Sequence, residues 1–130
     1  MNTTLFVLNL AATVALLVVT LITGKRGLKL LHIRIALTTV VVLLLAVVQA
    51  DMYGHGFTFE DLELKVHLIF AFATLFAVLP VIYSGYRLRR ESRWRHTHAR
   101  FVTLFVCLTV AAVLTAGYMF LHAVPVEAVV

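Results

Sequence analysis

Four stretches of this chain carry no charged side chain: residues 1–24, 35–50, 66–86 and 101–126. A helix needs about 20 mostly apolar residues to cross a hydrocarbon core of ~30 Å. The first, third and fourth stretches reach that length as they stand. The second reaches it if its helix starts near Leu30 and Arg34 extends its guanidinium back to the interface. Composition agrees, since 62% of the residues are hydrophobic and only 13% charged, too little polar surface for a soluble domain. Alternation at period two is absent, which argues against a membrane β-barrel. The expected fold is therefore an all-α membrane protein: an antiparallel four-helix transmembrane bundle forming a single domain over residues 1–130. Its helices are expected over residues 3–23, 28–52, 59–86 and 97–123. Short connections place neighbours antiparallel, Pro80 should kink the third helix, and no internal repeat stands out.

The charges that remain are sorted by loop. Lys25, Arg26, Lys29 and Arg34 follow the first stretch, and Arg87, Arg89, Arg90, Arg93, Arg95 and Arg100 follow the third. Between them Asp51, Glu60, Asp61 and Glu63 face only Lys65. Cytoplasmic loops concentrate Lys and Arg, so both basic loops face the cytoplasm and both termini lie outside. The first stretch has no cation before it and two after it, the reverse of a secretory signal, and reads as a retained helix. The expected location is the cell inner (cytoplasmic) membrane, spanned several times. The net charge of +5 then reflects topology and contact with an anionic bilayer, with no role for nucleic acid.

Catalytic patterns are nearly absent. No carboxylate lies deep in a helix, no glycine loop could cradle phosphate, and no nucleophile has an evident base. An enzyme acting by itself is not expected, although a redox subunit remains compatible. Cys107, the one cysteine, reads as a small apolar residue within the fourth stretch.

Histidine is the exception, with six in so apolar a chain. His32, His96 and His98 fall near the basic ends, and His55, His67 and His122 near the acidic end. Transmembrane cytochromes hold haem b between paired imidazoles carried on facing helices. Cations at Lys29, Arg34, Arg95 and Arg100 could pair the propionates. The simplest arrangement is a single inner haem ligated by His32 and one of His96 or His98. His98 and His122 stand at opposite ends of one helix, about 36 Å apart at ~1.5 Å per residue, which disfavours a close two-haem chain through them. The outer set could serve a second haem iron through His67 with His122 or His55, a quinone contact, or copper held by His55, His67 and His122. Imidazoles at interfaces also act as plain amphipathic anchors, the simpler reading for His55, His96 and His122. His67 fits that role least, because it follows Lys65 into an otherwise uncharged run.

Several short motifs add a resemblance. Leu8-Asn9, Leu31-His32, His67 followed by Leu79-Pro80, Arg95-His96 with Arg100-Phe101, and Thr115-Ala116-Gly117-Tyr118 span nearly the whole chain. Together they make it similar to small four-helix bacterial membrane proteins linked to maturation of haem-copper cytochrome oxidases. In that family a histidine commonly follows the second helix; His55 is only an approximate counterpart. More loosely the chain resembles transmembrane b-type cytochromes. The resemblance implies a membrane haem protein of the respiratory chain, in electron transfer or oxidase assembly, with an oxidase or larger membrane complex as partner. The alternative expectation is a non-catalytic accessory subunit packed against such a complex.

Overall fold

The computed structural model describes residues 3–128. Its helices are α1 (Thr3–Lys25), α2 (Lys29–Gly54), α3 (Asp61–Arg90) and α4 (Arg95–Leu121). All four are long and apolar enough to cross a membrane. Large apolar side chains such as Leu5, Leu30, Ile69, Phe76 and Leu114 stand exposed along them. Helices satisfy their own backbone groups, so such faces suit lipid rather than water. The chain is a multi-pass α-helical membrane protein.

It divides into two compact units, Met1–Phe57 with α1 and α2, and Thr58–Val130 with α3 and α4. Each is an antiparallel helical hairpin. In the first, the packed positions are small or hydroxylated: Thr13, Thr23, Thr39 and Ala46 are buried. Small residues let two backbones approach where no hydrophobic drive separates helix from lipid. Thr20 and Thr39 bridge the helices hydroxyl to hydroxyl at 2.8 Å, and each hydroxyl also lies 2.7–2.8 Å from a carbonyl one turn back. Near the far end Asn9 Nδ2 donates to Gln49 Oε1 at 2.8 Å. Such bonds couple transmembrane helices by about 0.6 kcal/mol on average and up to ~1.7. A double-mutant cycle with Asn9→Leu and Gln49→Leu, read by unfolding in detergent, is expected to return a coupling in that range.

The second hairpin buries Thr74, Ala77, Val78 and Ser84 of α3 with Phe105 and Met119 of α4. At its acidic end the Thr58 hydroxyl donates to the Val124 carbonyl at 3.0 Å, tying the entry of α3 to the exit of α4.

Helix ends differ from the sequence expectation by a few residues, for identifiable reasons. α1 continues through Gly24 to Lys25 because the left-handed stop is Gly27, at φ +70°. Leu28 N–H bonds the Thr23 carbonyl and Gly27 N–H bonds the Gly24 carbonyl, the Schellman closure that a glycine at this position permits. α3 runs to Arg90, four residues beyond expectation; three arginines in its last turn favour the negative end of the helix dipole. Arg87 there pairs with Glu91 at 3.0 Å and lies over the Trp94 ring. At its other end Asp61 and Glu63 occupy the first turn, as expected, with Glu60 as the N-cap. α3 passes Pro80 as one continuous helical segment.

The charge-derived orientation has a direct test. In a Cys107→Ser background, His55→Cys is expected to react with an impermeant maleimide on intact cells. Arg26→Cys and Ser92→Cys should react only after permeabilisation. Labelling of Arg26→Cys on intact cells would reverse the assignment.

Candidate functional site: a repeated imidazole module

His32 is the fourth residue of α2, and His98 is the fourth residue of α4. Both are half-buried, and each ring lies across a glycine near the end of the preceding helix. A Cβ on Gly24 would come within 3.0 Å of His32 Cε1, and one on Gly85 within 3.2 Å of His98 Cε1. These two glycines let an imidazole approach closely and have no positive φ of their own.

The ring nitrogens are oriented in the same way. His32 Nδ1 lies 2.9 Å from the Thr20 carbonyl oxygen and 3.4 Å from Thr23 Oγ1. A carbonyl can only accept, so Nδ1 carries the proton and Nε2 keeps its lone pair. His98 Nδ1 lies 2.9 Å from Ser84 Oγ. That hydroxyl is fully buried and donates to the Val81 carbonyl at 3.1 Å. In that orientation its oxygen accepts from His98 Nδ1, the tautomer of His32; rotated, the same hydroxyl would donate to Nδ1 instead. An imidazole held by Nδ1–H against a carbonyl or hydroxyl presents Nε2 as a ligand; this is the supporting contact found behind most metal-bound histidines.

The agreement extends along the chain. Thr23-Gly24-Lys25-Arg26 corresponds to Ser84-Gly85-Tyr86-Arg87, and Lys29-x-x-His32-x-Arg34 corresponds to Arg95-x-x-His98-x-Arg100. The same registers align buried Thr13 with buried Thr74, and buried Thr39 with buried Phe105. Each hairpin thus carries one copy of a module made of a hydroxyl, a glycine, a histidine and flanking cations. The expectation of no repeat is corrected here. The motif was present in the sequence, but the turn before His98 is longer than the turn before His32, which hides the correspondence from any single offset.

The remaining histidines separate. His96 is exposed and falls in the register of Leu30, outside the module. His67 is half-buried, with Nδ1 3.2 Å from Thr115 Oγ1, and Thr115 donates to the Ala111 carbonyl. His122 caps α4, with Nδ1 3.2 Å from Glu63 Oε1 and its ring edge-on to Tyr118. His55 is exposed at the end of α2. Among the described residues no group of three His, Cys, Asp or Glu side chains is placed to hold a metal ion. Cys107 is exposed on α4.

Two shielded side-chain atoms have no hydrogen-bond partner among the described residues: Arg87 Nε and Glu63 Oε2. Arg87 belongs to the module of His98, whereas Glu63 lies at the opposite end of the same hairpin. No family model, curated protein or solved structure matches the chain.

Proposed function

We propose that this chain is a haem-b-binding protein of the respiratory membrane, the cytoplasmic membrane of its cell, with His32 and His98 as the iron ligands. One observation carries the reading: each hairpin supplies an imidazole whose Nδ1 is backed by a carbonyl or a hydroxyl and whose ring is seated on a glycine. Orienting one histidine so could be incidental to packing. Doing it twice, at equivalent positions between the same flanking cations, points to one shared task for the two rings.

The residues present fit the group. Lys29 and Arg34 flank one ring, and Arg95 and Arg100 the other, as counter-charges for propionates. Arg87 adds a shielded Nε–H that lacks an acceptor, and a buried donor without an acceptor costs about 1–3 kcal/mol until one arrives. A carboxylate meets that need with a charge-assisted bond. Haem, when bound, supplies a one-electron carrier. The protein's part is to fix both Nε2 lone pairs, exclude water along apolar helices and neutralise carboxylates at the basic end. Electron transfer and haem handling for an oxidase are the two uses open to such a site, with an oxidase or other larger membrane complex as partner.

The test is the absorption spectrum of the full chain purified from haem-replete cells. A b-type Soret band with reduced α and β bands is expected. A colourless protein that co-purifies with a stoichiometric partner would instead make it an accessory subunit.

A further inference from the structure

The acidic end of the α3–α4 hairpin holds chemistry that the basic-end module does not use. The Glu63 side chain is only 12% exposed, and one of its oxygens, Oε1, lies 3.2 Å from His122 Nδ1. The other, Oε2, is shielded from solvent and receives no donor. A shielded carboxylate oxygen without a donor calls for a specific explanation. Beside it runs an open groove of about 540 Å³ lined by Glu63, Leu62, Val66, Leu114, Thr115 and Tyr118, with Glu60 at its edge. That volume lies within the ~300–1,000 Å³ of small-molecule sites. The lining mixes the exposed apolar side chains of Leu62 and Leu114, on membrane-spanning helices, with the polar groups of Glu60, Glu63, Thr115 and Tyr118.

The two hairpins differ in the residues that stand in the registers of Thr115 and His122. At the same level of the other hairpin, Gln49 stands in the register of Thr115 and closes a neutral amide bond with Asn9. Gly56 stands in the register of His122. The second hairpin instead places an acid and an imidazole together beside the groove.

We propose that this groove binds the head group of a lipid-soluble hydroquinone, with one phenolic hydroxyl donating to Glu63 Oε2. Three requirements converge on that class. The ligand must bring a hydrogen-bond donor to a shielded carboxylate oxygen. It must reach the groove from the membrane across Leu62, Val66 and Leu114. Its body must be apolar and flat enough to lie against the Tyr118 ring. The Glu63–His122 contact holds the carboxylate in place from its other oxygen, so His122 is a positioning residue. The proposal stands apart from haem binding, because it uses neither His32 nor His98.

The experiment uses the full chain in phosphatidylcholine nanodiscs and decyl-ubiquinol as probe, with the oxidised decyl-ubiquinone as comparison. The quinol should bind saturably and at least about tenfold more tightly than the quinone, which has no hydroxyl to donate; tenfold corresponds to ~1.4 kcal/mol. Glu63→Gln should remove most of that preference while the chain keeps its thermal unfolding midpoint. His32→Ala should leave quinol binding unchanged, so loss of the Soret band and loss of quinol binding report separately. Equal binding of quinol and quinone by the unmodified chain would overturn the proposal without recourse to any variant. So would an unaltered preference in Glu63→Gln, or displacement of the quinol by phosphatidylethanolamine, whose ammonium would then be the donor.

Discussion

His32→Ala and His98→Ala are each expected to strip haem from the purified protein, and by the same amount. Equality is the informative part. The two rings share their Nδ1 backing and glycine seat, so on the proposed haem reading neither would be a primary ligand with the other as an accessory. Loss of either iron bond should weaken retention by more than about 100-fold, beyond the ~10–100-fold typical of a missing supporting contact. Ser84→Ala supplies that smaller effect. It removes the hydroxyl behind His98 Nδ1 while leaving the ring in place, and should lower haem affinity within that ~10–100-fold range. His96→Ala should do nothing, since the exposed His96 lies outside the module. Titration of haemin into the apo protein, followed at the Soret maximum, measures all four variants on one scale. A His96→Ala loss equal to that of His98→Ala would reject the assignment.

Gly85→Val is expected to destabilise the protein and to displace His98. The first atom added at Gly85 already stands 3.2 Å from His98 Cε1, and the two further carbons of a branched side chain add to that crowding. Overpacking of this kind costs about 1–3 kcal/mol, which outweighs the ~0.5–1 kcal/mol a helix interior gains on losing a glycine. Gly24→Val should behave alike, with the approach tighter still at 3.0 Å. Gly117 provides the control, because nothing lies within 4 Å of a Cβ placed there. Gly117→Ala should leave the unfolding midpoint unchanged or raised. Thermal unfolding in detergent gives the stabilities, and haem retention reports the ring. A Gly85→Val protein as stable as the parent would mean that the imidazole does not sit on that glycine.

Much of this was readable from residue types. Four charge-free stretches marked the four helices, because burying a charge in lipid is costly enough to keep Lys, Arg, Asp and Glu at the ends. The ends themselves were harder to place. Gly24 looked like a helix stop, but its lack of a Cβ serves His32, and the stop falls to Gly27, whose left-handed conformation only the backbone reveals. His32 and His98 stood out by type and position, yet the sequence kept His96 as an alternative to His98, although a plain interfacial anchor was its simpler reading. The two differ by the face of α4 on which they fall, and that face is set by packing against α3. The Ser/Thr-Gly and Lys/Arg-x-x-His-x-Arg pairs were legible in principle. They were obscured by turns of unequal length and by intervening residues that any membrane helix would tolerate. The Glu63–His122 contact was not legible. Glu63 reads as an ordinary first-turn acid, and only the hairpin's closure brings His122 to it from the end of α4.

The central claim is that the two repeated imidazoles hold haem, and a pyridine haemochrome assay on the full chain tests it most directly. Protein from haem-replete cells should contain haem b in a fixed ratio to the chain, and the His32→Ala/His98→Ala double variant, produced alongside and equally stable, should contain none. Haem-free unmodified protein, or a double variant that retains the parent's haem content, would contradict it.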